Sequence, residues 1–302
     1  MEHTEIINEA FQFTKKAFFS ADCLHRWIKL FLFAIVPGVV GYIVSKIVFQ
    51  FVVLPILSNI LITDYLGFTE GNLAELLDWC SLVIAILCVF FVPLIQGYAY
   101  RIFRTGSEMP STENAFGLFF SGWRVNIVMF CYALPLIIIS LLYFILFLHL
   151  FPSALTYKPA TNFIFSFEDL ASGVMFFIYV AVEFITFIFV SLFEIIALVH
   201  VARAGSLGEA LKFRKMAEII TKIGWYDYVL SLVIMSIMFL LISVVFVLIS
   251  QAVTTFTGGV VLLLVYVFVM IPVITYFIKY MTEVYETAFF EEEEEDADFD
   301  DF

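Results

Sequence analysis

Residues 101–135, RIFRTGSEMPSTENAFGLFFSGWRVNIVMFCYALP, carry the pattern from which the rest of the chain is read. An apolar segment ends in two arginines, Arg101 and Arg104, and a Thr-Gly-Ser-Glu-Met-Pro turn follows. A short amphipathic run over residues 114–120 comes next, then Trp123 and Arg124, then a second apolar segment that contains Pro135. Basic residues and Trp suit the headgroup layer of a bilayer. The unit reads as a chain that leaves a membrane, skims its surface and re-enters it.

Composition supports that solvent. Apolar residues make up 63% of the 302, Phe alone contributes 38, and only 14% are charged. A water-soluble domain of this length needs more polar surface than that. Apolar runs occur at about 28–50, 79–101, 124–150, 172–201, 227–251 and 258–281. Each is long enough to cross a hydrocarbon core of ~30 Å at ~1.5 Å per residue. Six crossings and an all-α fold are expected, with residues 1–288 as one polytopic domain. Pro37, Pro93, Pro135 and Pro272 should bend their spans.

The net charge of −13 belongs largely to one end. Eleven of the 28 acidic residues fall between Glu283 and Asp301, leaving 17 acids against 15 bases before them. This acidity argues against nucleic acid as a partner, which would need a basic face. Residues 289–302 are too charged to fold alone and read as an acidic disordered tail. The tail could attract a basic cytoplasmic protein, with Phe299 and Phe302 as apolar anchors; the plainer reading is a solvated tail repelled by anionic headgroups.

Thirteen of the 15 bases lie in one alternating set of segments: Lys15, Lys16, Arg26 and Lys29; Arg101, Arg104 and Arg124; Arg203, Lys212, Arg214, Lys215 and Lys222; and Lys279. Only Lys46 and Lys158 lie toward the opposite face, whose loops carry Asp64, Glu70, Glu75, Asp78, Glu168 and Asp169. Positive residues stay inside, so both termini should be cytoplasmic in a multi-pass cell-membrane protein. The N-terminus shows no basic n-region or cleavage site of a signal peptide.

A repeat organises the spans. Residues 8–13 (NEAFQF), 113–118 (ENAFGL) and 208–213 (GEALKF) superpose, and each precedes a Trp (Trp27, Trp123, Trp225) at the start of a span. Residues 104–107 (RTGS) match 203–206 (RAGS). A period of this kind marks a repeated unit: an interfacial helix, a span out, a loop and a span back. Three parallel repeats are expected, at about 4–104, 105–203 and 204–288, with amphipathic helices on the cytoplasmic surface. The first, over 4–26, places Ile7, Ala10, Phe11, Thr14 and Phe18 on one face. That face would meet lipid or the protein's own inner side. Ser206 with Glu209 forms a capping box, and Ser111 or Thr112 could cap the second copy.

These two turn-and-helix units, GYAYRIFRTGSEMP…NAFGLFFSGW…YALPLIII and ALVHVARAGSLGEALKFRK…WYDYVLSLV, resemble an archaeal and bacterial membrane family catalogued as domain of unknown function 4013. The likeness spans roughly residues 5–285 and implies a prokaryotic membrane protein. It implies no activity and carries over no catalytic residues.

Little in the chain suggests chemistry. Cys23, Cys80, Cys88 and Cys131 form no CxxC pair or metal-ligand spacing, and no cofactor-binding glycine loop or catalytic triad pattern is present. Two carboxylates stand out within the fourth span. Glu183 and Glu194 are eleven residues apart, so they share one helical face about 16 Å apart. Intramembrane acids are costly and point to function. A proton or cation relay would use them with His149 or His200; otherwise they reach headgroups, Tyr or backbone. The reading of the whole is a non-enzymatic, membrane-organising or accessory protein that contacts lipids and a partner at its cytoplasmic face. The alternative is a small-solute or ion transporter built on Glu183 and Glu194.

Overall fold

Inside a bilayer no water is present to satisfy backbone amides, so an apolar run closes its hydrogen bonds within itself as a helix. The computed structural model describes residues 3–19, 23–55, 70–105, 109–150, 167–252 and 256–299, and every regular element among them is helical. In chain order these are α1 (His3–Phe18), α2 (Cys23–Val48) with a π-helical turn over Phe49–Val53, α3 (Glu70–Phe91), α4 (Leu94–Thr105) and α5 (Ala115–Leu150). There follow α6 (Phe167–Ala204), α7 (Leu207–Ala210), α8 (Phe213–Ile223), α9 (Trp225–Gln251) and α10 (Phe256–Phe299). Six stretches are long and apolar enough to cross a membrane: 24–53, 77–105, 115–147, 173–204, 225–251 and 261–289. The chain is a multi-pass, membrane-type helical protein.

Several details depart from the sequence reading. The second span is not one rod, since Val92 and Pro93 separate α3 from α4. Proline lacks the N–H that would close the helix there. The amide of Leu94 turns back to the carbonyl of Val92 at 2.8 Å, and Asn126 of α5 donates to the carbonyl of Phe90. Conversely, the amphipathic run at 114–120 and the third span form one helix, α5, because nothing between them forces a break. In the corresponding place Gly224, at φ 94°, ends α8 before α9 begins.

The cap of α5 is neither Ser111 nor Thr112. Asn114, at φ 63°, accepts the amide of Gly117 at 2.9 Å on its side chain. Asn tolerates that left-handed conformation and caps well. Arg101 fixes the turn by donating to the carbonyls of Ser111, Glu113 and Asn114. The predicted capping box is half realised: Ser206 accepts the amide of Glu209 at 3.4 Å, while the Glu209 carboxylate turns to Lys215.

The buried stripe of α1 also differs from the expected one. Ile6, Ala10, Thr14, Ala17 and Phe18 are buried, whereas Phe11 is 55% exposed. The helix packs on the protein's own α10, and that neighbour sets the face. Finally, α10 continues as far as Phe299, into the acidic stretch. Extending a nucleated helix is cheap, and Glu is a good helix former.

Buried residues gather at one end of the bundle. Leu30, Ile102, Leu118, Ile196, Ile220 and Val284 are inaccessible there, on α2, α4, α5, α6, α8 and α10. This end also holds the thirteen basic residues of the alternating set described above, from Lys15 to Lys279, and is called the basic end. Tyrosine hydroxyls tie it together: Tyr132 of α5 donates to the carbonyl of Ala210 at 2.9 Å, and Tyr228 of α9 to that of Leu192 in α6. Trp27 stacks on Phe268 of α10 with ring centroids 4.4 Å apart and donates to its carbonyl at 3.0 Å.

The far halves of the spans instead turn large apolar side chains outward, among them Val44, Ile86, Leu142, Phe177, Leu241 and Leu263. Polar contacts join each hairpin in this half. Lys46 pairs with Asp78 between α2 and α3; Ser140 meets Tyr179 at 3.1 Å between α5 and α6; Ser243 meets Tyr266 at 3.4 Å between α9 and α10. Small residues help the first hairpin close, with Gly38 and Gly41 of α2 facing Ala85, Cys88 and Val89 of α3.

Candidate functional site at the basic end

The second half of α10 is the axis of the basic end. Lys279, Glu283 and Glu286 recur at helical spacing, which puts them on neighbouring turns of one face. Lys279 is buried, forms an ion pair with Glu283, and stands over the Phe13 ring of α1 at 5.5 Å. Arg203, at the end of α6, pairs with Glu286 and donates to the carbonyl of Arg104 at 3.3 Å. One side chain thus joins α4, α6 and α10.

Beyond that pair, α8 packs with Met216, Ile219, Ile220 and Ile223 inward, the spacing of an amphipathic helix. Its polar side carries Arg214, Lys215, Glu218 and Lys222. Lys215 reaches Glu209 at 2.6 Å, and Arg214 meets Glu218 at 3.2 Å. That hydrogen bond from Lys215 holds the Glu209 carboxyl below the ordinary carboxylate range. On the other flank, His3 of α1 lies 3.3 Å from Asp227 and 3.4 Å from the Tyr280 hydroxyl.

The Arg203–Glu286 pair is shared by two clefts. One, of about 490 Å³, lies between α6, α8 and α10 and is lined by His200, Arg203, Lys215, Lys222, Tyr285 and Phe289 among others. The second, of about 610 Å³, lies toward α1 and is lined by Glu9, Lys16, Arg203, Lys279, Glu283 and Glu286 among others. The first mixes charged groups with the apolar walls of Ala204, Ile219 and Phe289, while the second is lined almost wholly by charged and polar side chains; both suit a charged ligand more than a buried reaction centre. No group of three or more His, Cys, Asp or Glu with metal-binding geometry occurs among the described residues.

The residues singled out in the sequence are dispersed. Glu183 lies between α5 and α6, where its carboxylate accepts from Ser140 beside the stacked rings of Tyr143 and Tyr179, 4.1 Å apart. Glu194 is half-buried nearer the basic end, and His149 is exposed at the far end of α5. His200 is buried, with Nδ1 2.8 Å from the Tyr285 hydroxyl. Its Nε2 lies 3.5 Å from a Glu209 oxygen and makes no hydrogen bond. No contact joins Glu183, Glu194, His149 and His200 to one another among the described residues. Phe299 is the last residue of α10, and Phe302 lies outside the described residues.

The sequence reading took Arg203, Lys215, Lys222 and Lys279 as orientation markers and missed their convergence with Tyr285 and Glu286. The signal available was the i, i+4, i+7 pattern of Lys279, Glu283 and Glu286, which continues the last span past its expected end at 281.

Residues 80–251, more than half of the chain, match the family described as a protein of unknown function, DUF4013. The chain belongs to this family. The DUF4013 match runs from within α3 to the end of α9, so it takes in the Arg101 turn, Arg203 and all of α8. α1, α2 and α10 lie outside it, including Tyr285, Glu286 and Phe289 of the cleft. No curated protein and no solved structure matches the chain.

Proposed function

We propose that this member of the DUF4013 family is a non-enzymatic, membrane-organising or accessory protein whose working surface is its basic end. That end faces the cytoplasm, as its positive residues favour, and contacts lipid headgroups and a basic protein partner. The observation that carries this reading is the unequal division of the bundle. Core, ion pairs and clefts concentrate at the basic end, while the far halves present apolar surface suited to hydrocarbon.

Three parallel two-helix repeats account for the architecture. Ser140, Tyr143 and Tyr179 of the second hairpin have counterparts in Ser243, Phe246 and Tyr266 of the third, where the Phe246 and Tyr266 rings lie 4.9 Å apart. The amphipathic helices α1 and α8 flank α10 at the cytoplasmic surface. Phe11 and Phe116, 55% and 80% exposed, then lie at the level of the headgroups.

Photo-crosslinkers placed at Phe11 and Phe116 test the reading in native membranes. Adducts to phospholipid, together with a protein adduct lost on deleting residues 291–302, are expected. Absence of both kinds of adduct contradicts it.

A transporter remains the second reading, on the strength of one contact: the Glu183 carboxylate held by Ser140 within an apolar span. Proton-coupled uptake into vesicles that fell with Glu183→Gln or Glu194→Gln would favour it.

A further inference from the structure

We propose that the cleft between α6, α8 and α10 binds the phosphate of an anionic phospholipid headgroup. The inference rests on the reading that the basic end meets the cytoplasmic headgroup layer.

Charge selects an anion. The cleft itself is lined by three bases, Arg203, Lys215 and Lys222, against two acids, Glu218 and Glu286. Lys215 and Arg203 already hold acids, and Lys222 stands 5.9 Å over the Phe289 ring. A phosphate, with several acceptor oxygens, can be shared among such donors.

The floor supplies the second indication. His200 is only 5% exposed, lines the cleft and has an unsatisfied Nε2. In the tautomer that accepts the Tyr285 hydroxyl on Nδ1, Nε2 carries the ring proton and needs an acceptor. Its nearest acceptor is the Glu209 oxygen 3.5 Å away, which makes no hydrogen bond, and a phosphate oxygen drawn in by Lys215 supplies a closer one. Ala204, Ile219 and Phe289 form apolar walls beside these donors. A phosphate ester with acyl chains matches both parts; a bare ion matches only one. The acidic run from Glu291 begins just past Phe289 in the chain and opposes such an anion.

The test uses full-length protein in nanodiscs and compares retention of phosphatidate with phosphatidylcholine of the same acyl chains by native mass spectrometry. Phosphatidate should be retained about tenfold better, and Lys215→Gln with Lys222→Gln should remove most of that preference. The charge-matched pair Lys15→Gln with Lys29→Gln, on α1 and α2, should leave it intact. Deleting 291–302 should strengthen retention. No preference in the wild type, or equal loss in both double variants, overturns the site. Displacement of phosphatidate by inorganic phosphate alone overturns the lipid assignment and makes free phosphate the ligand. Phospholipid adducts at Phe11 and Phe116 without a phosphatidate preference would overturn the site while leaving the broader reading in place.

Discussion

The side-chain amide of Asn126 donates to the carbonyl of Phe90 at 2.6 Å, at the point where Pro93 interrupts the second span. In an unbroken helix that carbonyl would accept from Leu94, whose amide is instead used by Val92. Asn126 itself is 1% exposed. Asn126→Ala should destabilise the protein by about 1–3 kcal/mol, read as a lowered melting temperature in detergent. If Asn126→Ala melts like the wild type, the break is held by other means.

Two glycines set how closely α4 and α5 cross. A Cβ on Gly97 would stand 1.8 Å from the carbonyl oxygen of Leu118, and one on Gly122 1.9 Å from that of Pro93. Both neighbours are backbone and cannot swing aside. Gly97→Ala or Gly122→Ala should therefore cost about 1–3 kcal/mol or more. Gly173→Ala in α6, with open space around it, should instead gain about 0.5–1 kcal/mol from helix propensity. A thermal shift of the same sign in all three variants would contradict this geometry.

The spans were legible because their signal is long: roughly twenty apolar residues tolerate an error of two or three at either end. What escaped the sequence depends on neighbours. Pro93 reads as a bend, and Asn126, 33 residues later, supplies a donor to the carbonyl that the break frees. Phe11 and Ile6 are equally apolar, so the side of α1 that is buried is chosen by α10. Asn114 was a cap candidate only in the backbone conformation it adopts. Lys279 looked like a charge at the end of a span until α10 proved longer and Glu283 came under it. Of the candidate site, the chemical types were visible and their convergence was not.

Lys279 and Glu283 form a pair with side chains 6% and 14% exposed. Removing one member leaves the other charge buried without a partner. Lys279→Met alone should cost about 3–5 kcal/mol. Pairing it with Glu283→Leu should restore most of that loss. A double variant no more stable than the single one would show that the two groups are not coupled. The measurement is a double-mutant cycle on thermal stability.

Acid should act on the Glu209–Lys215 pair at 2.6 Å. Because the Glu209 carboxyl titrates below its ordinary value of 4.5 in the folded protein, the unfolded chain binds the proton more readily. Its contribution to stability is present above pH 4.5 and is lost as pH falls through the lowered folded value. Glu209→Gln should melt below the wild type above pH 4.5, and the gap should close on acidification. A gap that widened toward low pH would reverse the sign and remove Lys215 as the cause.

The orientation of the basic end is the most direct test, since every proposed contact depends on it. With the native cysteines replaced, a single cysteine at Ser107, in the sequence between α4 and α5, or at Gly71, near the start of α3, is exposed in intact cells to a membrane-impermeant maleimide. The account predicts labelling at Gly71 and protection at Ser107 until the cells are opened. Labelling of Ser107 in intact cells would place the clefts and ion pairs outside and contradict the account.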